Sequence, residues 1–285
     1  MAGNPVFNRI DKQITQGGYA GFDRQPAARG MSGGAGVQDS LNSEQLQDLY
    51  NQPSAGPVQM RRVTLDDVVM KTLGLFVIVV TVAAASWIAV ADQPGLSMPL
   101  MLGGMFGSLA LGLVIAFKKT ISVPLIVLYA VLEGVFVGVI SSFFDRMYPG
   151  TGIVTTAVVA TMSTFAGMFL GWKFGLIRVT DKSRRIFGMA LMGYLLFSLV
   201  NVAAAFMGVG DSWGFGGKNS KLGIGISVLG VGLASYSLAI DFDSVDRAVA
   251  ARLPEKYSWL LAHGLIVTLV WLYLEILRLL ARLRE

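Results

Sequence analysis

Residues Val68–Ala91 read VVMKTLGLFVIVVTVAAASWIAVA, a run whose single charge, Lys71, stands near its start. A helix rises 1.5 Å per residue, so about 20 apolar residues span the roughly 30 Å hydrocarbon core of a bilayer. The run is far longer than a membrane-barrel strand and lacks the polar alternation such a strand needs. It is predicted to be a transmembrane helix. Six further runs of the same kind follow, at Met98–Phe117, Pro124–Phe144, Ile153–Phe174, Ile186–Met207, Leu222–Ile240 and Trp259–Leu280. The predicted fold is an all-α integral membrane protein, a bundle of seven transmembrane helices.

Composition points the same way. Of the 285 residues 54% are hydrophobic and 14% charged, against about 25% charged in soluble domains. The 34 glycines fit helices that pack closely in lipid. With no cysteine, disulfides, thiolate metal sites and cysteine nucleophiles are excluded, and a lone histidine, His263, argues against zinc. It also leaves no plausible Ser-His-Asp arrangement, so the protein is not expected to be an enzyme. The glycines at 223, 225, 230 and 232 follow no strand, and the loop at Gly216 and Gly217 lacks the spacing of a phosphate-binding loop. No cofactor is expected, although Ca²⁺ or H⁺ could be transported or sensed.

Residues 1–60 are rich in Gly, Gln, Asn, Ser and Pro, as in PAARGMSGGAGVQDS, and are predicted to form a disordered cytoplasmic tail ahead of a transmembrane domain over residues 61–285. Within the tail, LNSEQLQDLY carries a weak helical stripe of Leu41, Leu46 and Leu49. The first apolar stretch begins only near Val68, so the first span is expected to act as an uncleaved anchor.

Orientation follows from the connecting loops. Arg61, Arg62 and Lys71 flank span one. Lys118 and Lys119 separate spans two and three, Arg178, Lys182, Arg184 and Arg185 spans four and five, and Arg247, Arg252 and Lys256 spans six and seven. The alternate loops are poorer in cations, so the N-terminus is predicted to be cytoplasmic. The same rule accounts for the net charge of +5 without nucleic acid. Arg278, Arg282 and Arg284 then fall on the far side, and either the last segment crosses with these residues in the outer headgroups or it re-enters without crossing.

Glu133 lies near the centre of span three, in YAVLEGVFVGVIS, where a charged carboxylate costs at least about 3 kcal/mol. It must be neutral, paired or hydrated. One reading is a hydrogen bond within the bundle, with Tyr129 one turn away; the other is a site that handles ions or protons. Asp241 and Asp243, in LAIDFDSVDRAV, are placed at the hydrated cytoplasmic end of span six, either as solvated charges or as oxygen ligands for a hard cation such as Ca²⁺. Asp246 belongs to an exposed continuation. In span seven, Thr268 and Glu275 are seven apart and share a face from which His263 diverges. Glu275 and Arg278 have the spacing of an ion pair, and His263 is either a buried hydrogen-bonding residue or a pH sensor. Tyr194, Ser198 and Asn201 form a polar stripe on span five suited to interhelical hydrogen bonds.

From about Val68 onward, the seven spans, LYAVLEGVFVGVIS, LAIDFDSVD and LVWLYLEILRLL resemble the Bax inhibitor family (transmembrane Bax inhibitor motif), in its bacterial branch. The resemblance implies a bundle with the last helix near its centre, a bacterial inner (cytoplasmic) membrane location and a pH-sensitive passive cation leak, chiefly of Ca²⁺. It also implies an aspartate closing span six, matched by Asp241, that pairs with a second in span seven. That second position falls at about Thr268, which cannot ionise, so this sequence departs from the family's shared-proton pattern at that position. Glu133 matches a glutamate of eukaryotic relatives and is the candidate replacement partner, which makes Asp241 and Glu133 the expected Ca²⁺ ligands. With Asp241 at a hydrated end, pH sensitivity near neutrality is assigned first to Glu133 and then to His263. Two other readings stand beside the leak. One is a regulatory protein that binds a membrane-bound protease or stress machinery, the tail serving as its handle. The other is a proton-coupled transporter, which calls for discontinuous helices.

Overall fold

A computed structural model describes residues 61–118, 120–208 and 221–284. The tail, its LNSEQLQDLY segment and the loop at Gly216 and Gly217 lie outside the described residues. Among the described residues seven helices follow one another: α1 (Leu65–Asp92), α2 (Ser97–Phe117), α3 (Val123–Met147), α4 (Ile153–Lys173), α5 (Asp181–Phe206), α6 (Lys221–Ala250) and α7 (Tyr257–Leu283), with a 3₁₀ turn at Pro94–Leu96. All seven are long and apolar enough to cross a membrane. Among the described residues there is no strand, only an isolated bridge between Arg62 and Pro254.

Helix α7 occupies the middle. Inside the protein 83% of its spanning core is buried, against 17 to 50% for the other six. It packs against α1, α3, α4 and α6, while α2 lies outside on α3 and α5 rests lightly on α6. Large apolar side chains on the periphery, including Val69, Ile88, Leu109, Leu196 and Leu199, are exposed, as lipid solvation permits.

The α1–α3 seam depends on absent side chains. Gly134 and Gly138 stand one turn apart on α3, and a Cβ on Gly134 would come 2.8 Å from the Val79 carbonyl oxygen. One on Gly138 would strike Ser86 Oγ and the Ala83 carbonyl, with Ala83 Cα at 2.8 Å. Across the same seam the Ser86 hydroxyl donates to the Val135 carbonyl at 3.4 Å. Gly104 of α2 meets α3 as closely, its would-be Cβ 2.9 Å from the Phe136 amide nitrogen. Close packing through small residues is how helices associate where lipid removes the hydrophobic drive.

Helix α1 begins in a capping box, in which Thr64 Oγ1 accepts from the Asp67 amide at 3.2 Å and the Asp67 carboxylate accepts from the Thr64 amide at 3.3 Å. The strand-like residues before it lie along the α6–α7 connection: the Val63 amide donates to the Leu253 carbonyl and the Glu255 amide to the Arg61 carbonyl, both at 2.9 Å. Lys71, the charge inside the first span, donates to Glu255 at 3.1 Å and to Ser258 Oγ at 2.6 Å. The start of α1 and the α6–α7 connection thus share one face, here termed the basic face. On the opposite face Arg284, following α7, donates to the Thr151 carbonyl between α3 and α4 at 2.7 Å. Helix α7 therefore crosses the whole bundle and does not re-enter.

One boundary departs from expectation. Helix α6 continues past Ile240 to Ala250, because Ser244, Val245 and Ala248 are buried and Asp243 is ion-paired within the protein. Charges that would end a span in lipid do not end it against protein.

Two measurements check this architecture. In a chain without native cysteine, single substitutions Thr151→Cys and Arg284→Cys should react with an impermeant maleimide from one side of sealed vesicles, and Lys256→Cys from the other; labelling of Arg284→Cys together with Lys256→Cys would mean that α7 does not cross. Gly138→Val should destabilise the bundle by about 1–3 kcal/mol, the usual penalty of overpacking, read as a lowered midpoint in denaturant titration of the detergent-solubilised protein, whereas Gly103→Val, at an open position, should leave the midpoint nearly unchanged.

Candidate functional site: buried carboxyls around the central helix

Asp241 sits nine residues before the end of α6, about 13 Å inside it at 1.5 Å per residue. Its side chain is fully enclosed, with 0% exposure. This corrects the expectation of a hydrated helix end: the continuation of α6 carries the residue into the bundle, where Phe242 and Val245 are buried beside it. Neither carboxyl oxygen meets a hydrogen bond of good geometry. Thr268 of α7 is the hydroxyl that faces it, and Arg184 of α5 is a cation acting on it. The position matched to the second family aspartate thus lies against Asp241 and presents a hydroxyl in place of an acid.

Asp243 is two residues further, about 200° round the helix from Asp241, so the two carboxyls do not converge on one cation. Asp243 pairs instead with Arg184 across the α5–α6 seam and with Arg247 one turn on, at 3.2 Å. The three side chains are half-buried between Asp241 and the basic face. Asp246 is exposed, in keeping with the helix continuation.

Glu133 belongs to a different site. Its side chain is 8% exposed, faced by the hydroxyls of Ser108 from α2 and Tyr129 one turn before it. These residues and His263 line a cavity of about 320 Å³ between α2, α3 and α7, otherwise walled by apolar side chains such as Met105, Leu109 and Phe136. The Tyr129 and His263 rings stand edge to face, centroids 4.4 Å apart, and His263 Nδ1 is buried without a hydrogen bond. His263 and Thr268 are five residues apart on α7, about 140° round it. Glu133 and Asp241 therefore lie on different sides of the central helix, and α3 and α6 share no extensive contact. The structure does not make Glu133 the partner of Asp241. Among the described residues, no three His, Asp or Glu side chains are gathered as metal ligands.

Glu275, 2% exposed, anchors a third cluster toward the opposite face. Its carboxylate accepts from Tyr194 Oη at 2.7 Å, from Trp271 Nε1 at 3.1 Å and from Arg278 at 3.0 Å. The expected Glu275–Arg278 pair is present, and the polar stripe on α5 reaches α7 through Tyr194. Gly230 of α6 makes room for it, since a Cβ there would lie 2.6 Å from Glu275 Oε2. Both oxygens of this carboxylate accept a hydrogen bond, which marks a structural tie, unlike Asp241.

Sequence reasoning overlooked Ser108 and the Arg184–Asp243 pair, having read Arg184 as a loop cation. A serine amid the apolar run of span two was the available signal for the first. For the second there was none, because the partners lie on different helices 59 residues apart.

Seven apolar helices long enough to span a bilayer, packed around a polar-bearing central one with acidic side chains enclosed among them, define a multi-pass α-helical membrane protein. No curated protein matches the chain. The chain does match the Bax inhibitor 1 like family over residues 4–285, and it belongs to that family. The match covers the tail as well as the bundle.

The Glu275 cluster yields a stability test. Arg278→Gln should destabilise by about 1.5–3 kcal/mol, the worth of a hydrogen bond to a charged group, while Arg278→Gln combined with Glu275→Gln should recover part of that loss, because no buried carboxylate is then left short of its cation. Additive losses in the double variant, measured in the same denaturant titration, would show that the two side chains do not interact.

Proposed function

We propose that this protein is a passive, pH-modulated cation pathway of a bacterial inner membrane, its N-terminus cytoplasmic, with Ca²⁺ the foremost ion and the present conformation closed. Family membership supports a channel-like role over an enzymatic one. The observation that carries the reading is Asp241: a carboxyl with no exposure and no good hydrogen bond, at membrane depth, behind an ion-paired layer of Arg184, Asp243 and Arg247. An uncompensated charge in such a place is costly, so the closed arrangement suits the neutral acid. Ionisation favours any conformation that admits water or a cation to the carboxylate. Helix α5 is the element best placed to yield, since its contact with α6 is slight beside the other seams, and its Arg184 closes the route toward the basic face.

The sign follows. Leak should rise as pH rises through the titration of Asp241, the opposite of a site opened by protonation. This moves the primary sensor from Glu133, the expectation drawn when Asp241 was placed at a hydrated end, to Asp241 itself.

Purified protein in liposomes loaded with a calcium dye should show leak above empty liposomes. Asp241→Asn should reduce it severalfold and flatten its pH profile, and Arg184→Gln, loosening the α5–α6 latch, should raise it. Equal leak and equal profiles from the parent protein and Asp241→Asn would remove Asp241 from the pathway, and no leak at any pH would dismiss the reading altogether.

A further inference from the structure

The Glu133 cavity has the makings of a ligand site independent of any ion route past Asp241. Among the described residues its lining carries one acidic group and no arginine or lysine, with Ser108, Tyr129, Glu133 and His263 set among apolar walls such as Met105 and Phe136. Its volume, about 320 Å³, is that of small-molecule pockets, which run from about 300 Å³ upward and combine apolar walls with a few convergent polar groups. Leu109 and Leu113, on its rim, are 60% and 50% exposed on the outer surface of α2. That surface faces lipid, so the way in is lateral, from the hydrocarbon.

We propose that this cavity binds a lipophilic organic cation, an amine or quaternary ammonium with an apolar body, delivered from the bilayer. The charge balance decides the class. A cation brought against Glu133 makes a neutral pair, whereas an anion would meet a carboxylate with no arginine or lysine among the described lining residues to offset it. An inorganic cation would have to shed its water for a site lacking three clustered ligands. An organic cation arrives weakly hydrated, with the Tyr129 and Phe136 rings available to its charged head and the leucines and methionine to its tail. The hydroxyls of Ser108 and Tyr129 stand beside the carboxyl. Because α7 stands between this cavity and Asp241, the proposal does not depend on the cation-pathway reading.

The full chain in phosphatidylcholine nanodiscs would be titrated with radiolabelled dodecyltrimethylammonium, with empty nanodiscs subtracted. Saturable binding is expected, displaced by the unlabelled cation but not by equal dodecanol or dodecanoate. Glu133→Gln should weaken it by about tenfold or more, as loss of one charge-assisted contact does. Leu113→Trp, which crowds the rim and leaves Glu133 untouched, should weaken it as well, whereas Leu199→Trp, equally bulky on the exposed face of α5, should not. Binding no greater than to empty nanodiscs, equal displacement by dodecanol, or unchanged affinity in both Glu133→Gln and Leu113→Trp would each overturn the proposal.

Discussion

In hydrocarbon a polar side chain has no water to fall back on, and the arrangement of this bundle follows from that constraint. Helix α7 carries His263, Thr268, Tyr273, Glu275 and Arg282, all buried. A helix so furnished cannot face lipid. It is stable only when other helices enclose it and supply partners, and they do: Ser141 of α3 meets the Tyr273 hydroxyl at 2.7 Å and Tyr194 of α5 meets Glu275. The ring of α1, α3, α4 and α6 is the consequence, with α2 and α5 left outside to complete it.

The ring is not uniform. On one side α3 is clasped by α1 and α2 through backbone approaches that glycine alone permits, which fixes Glu133 and its cavity in a rigid wall. On the other side α5 meets α6 through a small cluster around Phe187, Tyr194, Leu233 and Ile240, together with the Arg184–Asp243 pair. Dispersion gained over a long close seam is replaced there by a few contacts and one ion pair, so the two sides differ in how readily they part. The slighter seam lies on the α5 side, and the cavity beside Glu133 on the α3 side.

The two carboxyls that the sequence places at membrane depth consequently stand in different surroundings. Asp241 has Thr268 before it and the ion-paired Arg184, Asp243 and Arg247 between it and the basic face. Glu133 has hydroxyls, an imidazole and an apolar chamber opening toward lipid. Central helix α7 keeps them apart, as the roughly 140° between His263 and Thr268 requires.

Much of this was legible in the residues alone. Seven apolar runs determine seven spans because span length is set by bilayer thickness, and the boundaries at Phe117 and Ile153 agree with the helices to the residue. The Glu275–Arg278 pair was legible because it is local to one helix. The Thr268 position opposite Asp241 could be located by resemblance, but its proximity needed the fold. Where the reading failed, the reason is the environment of the charge: Asp241 and Asp243 look like the end of a span when water is taken as the neighbour, and only the packed bundle shows that α4, α5 and α7 are the neighbours instead. Which side of α7 each acid faces, which arginine meets which aspartate, and where a glycine replaces a contact are matters of helix rotation and crossing. Sequence hydropathy records how apolar a segment is, and only tertiary packing decides what each polar atom in it touches.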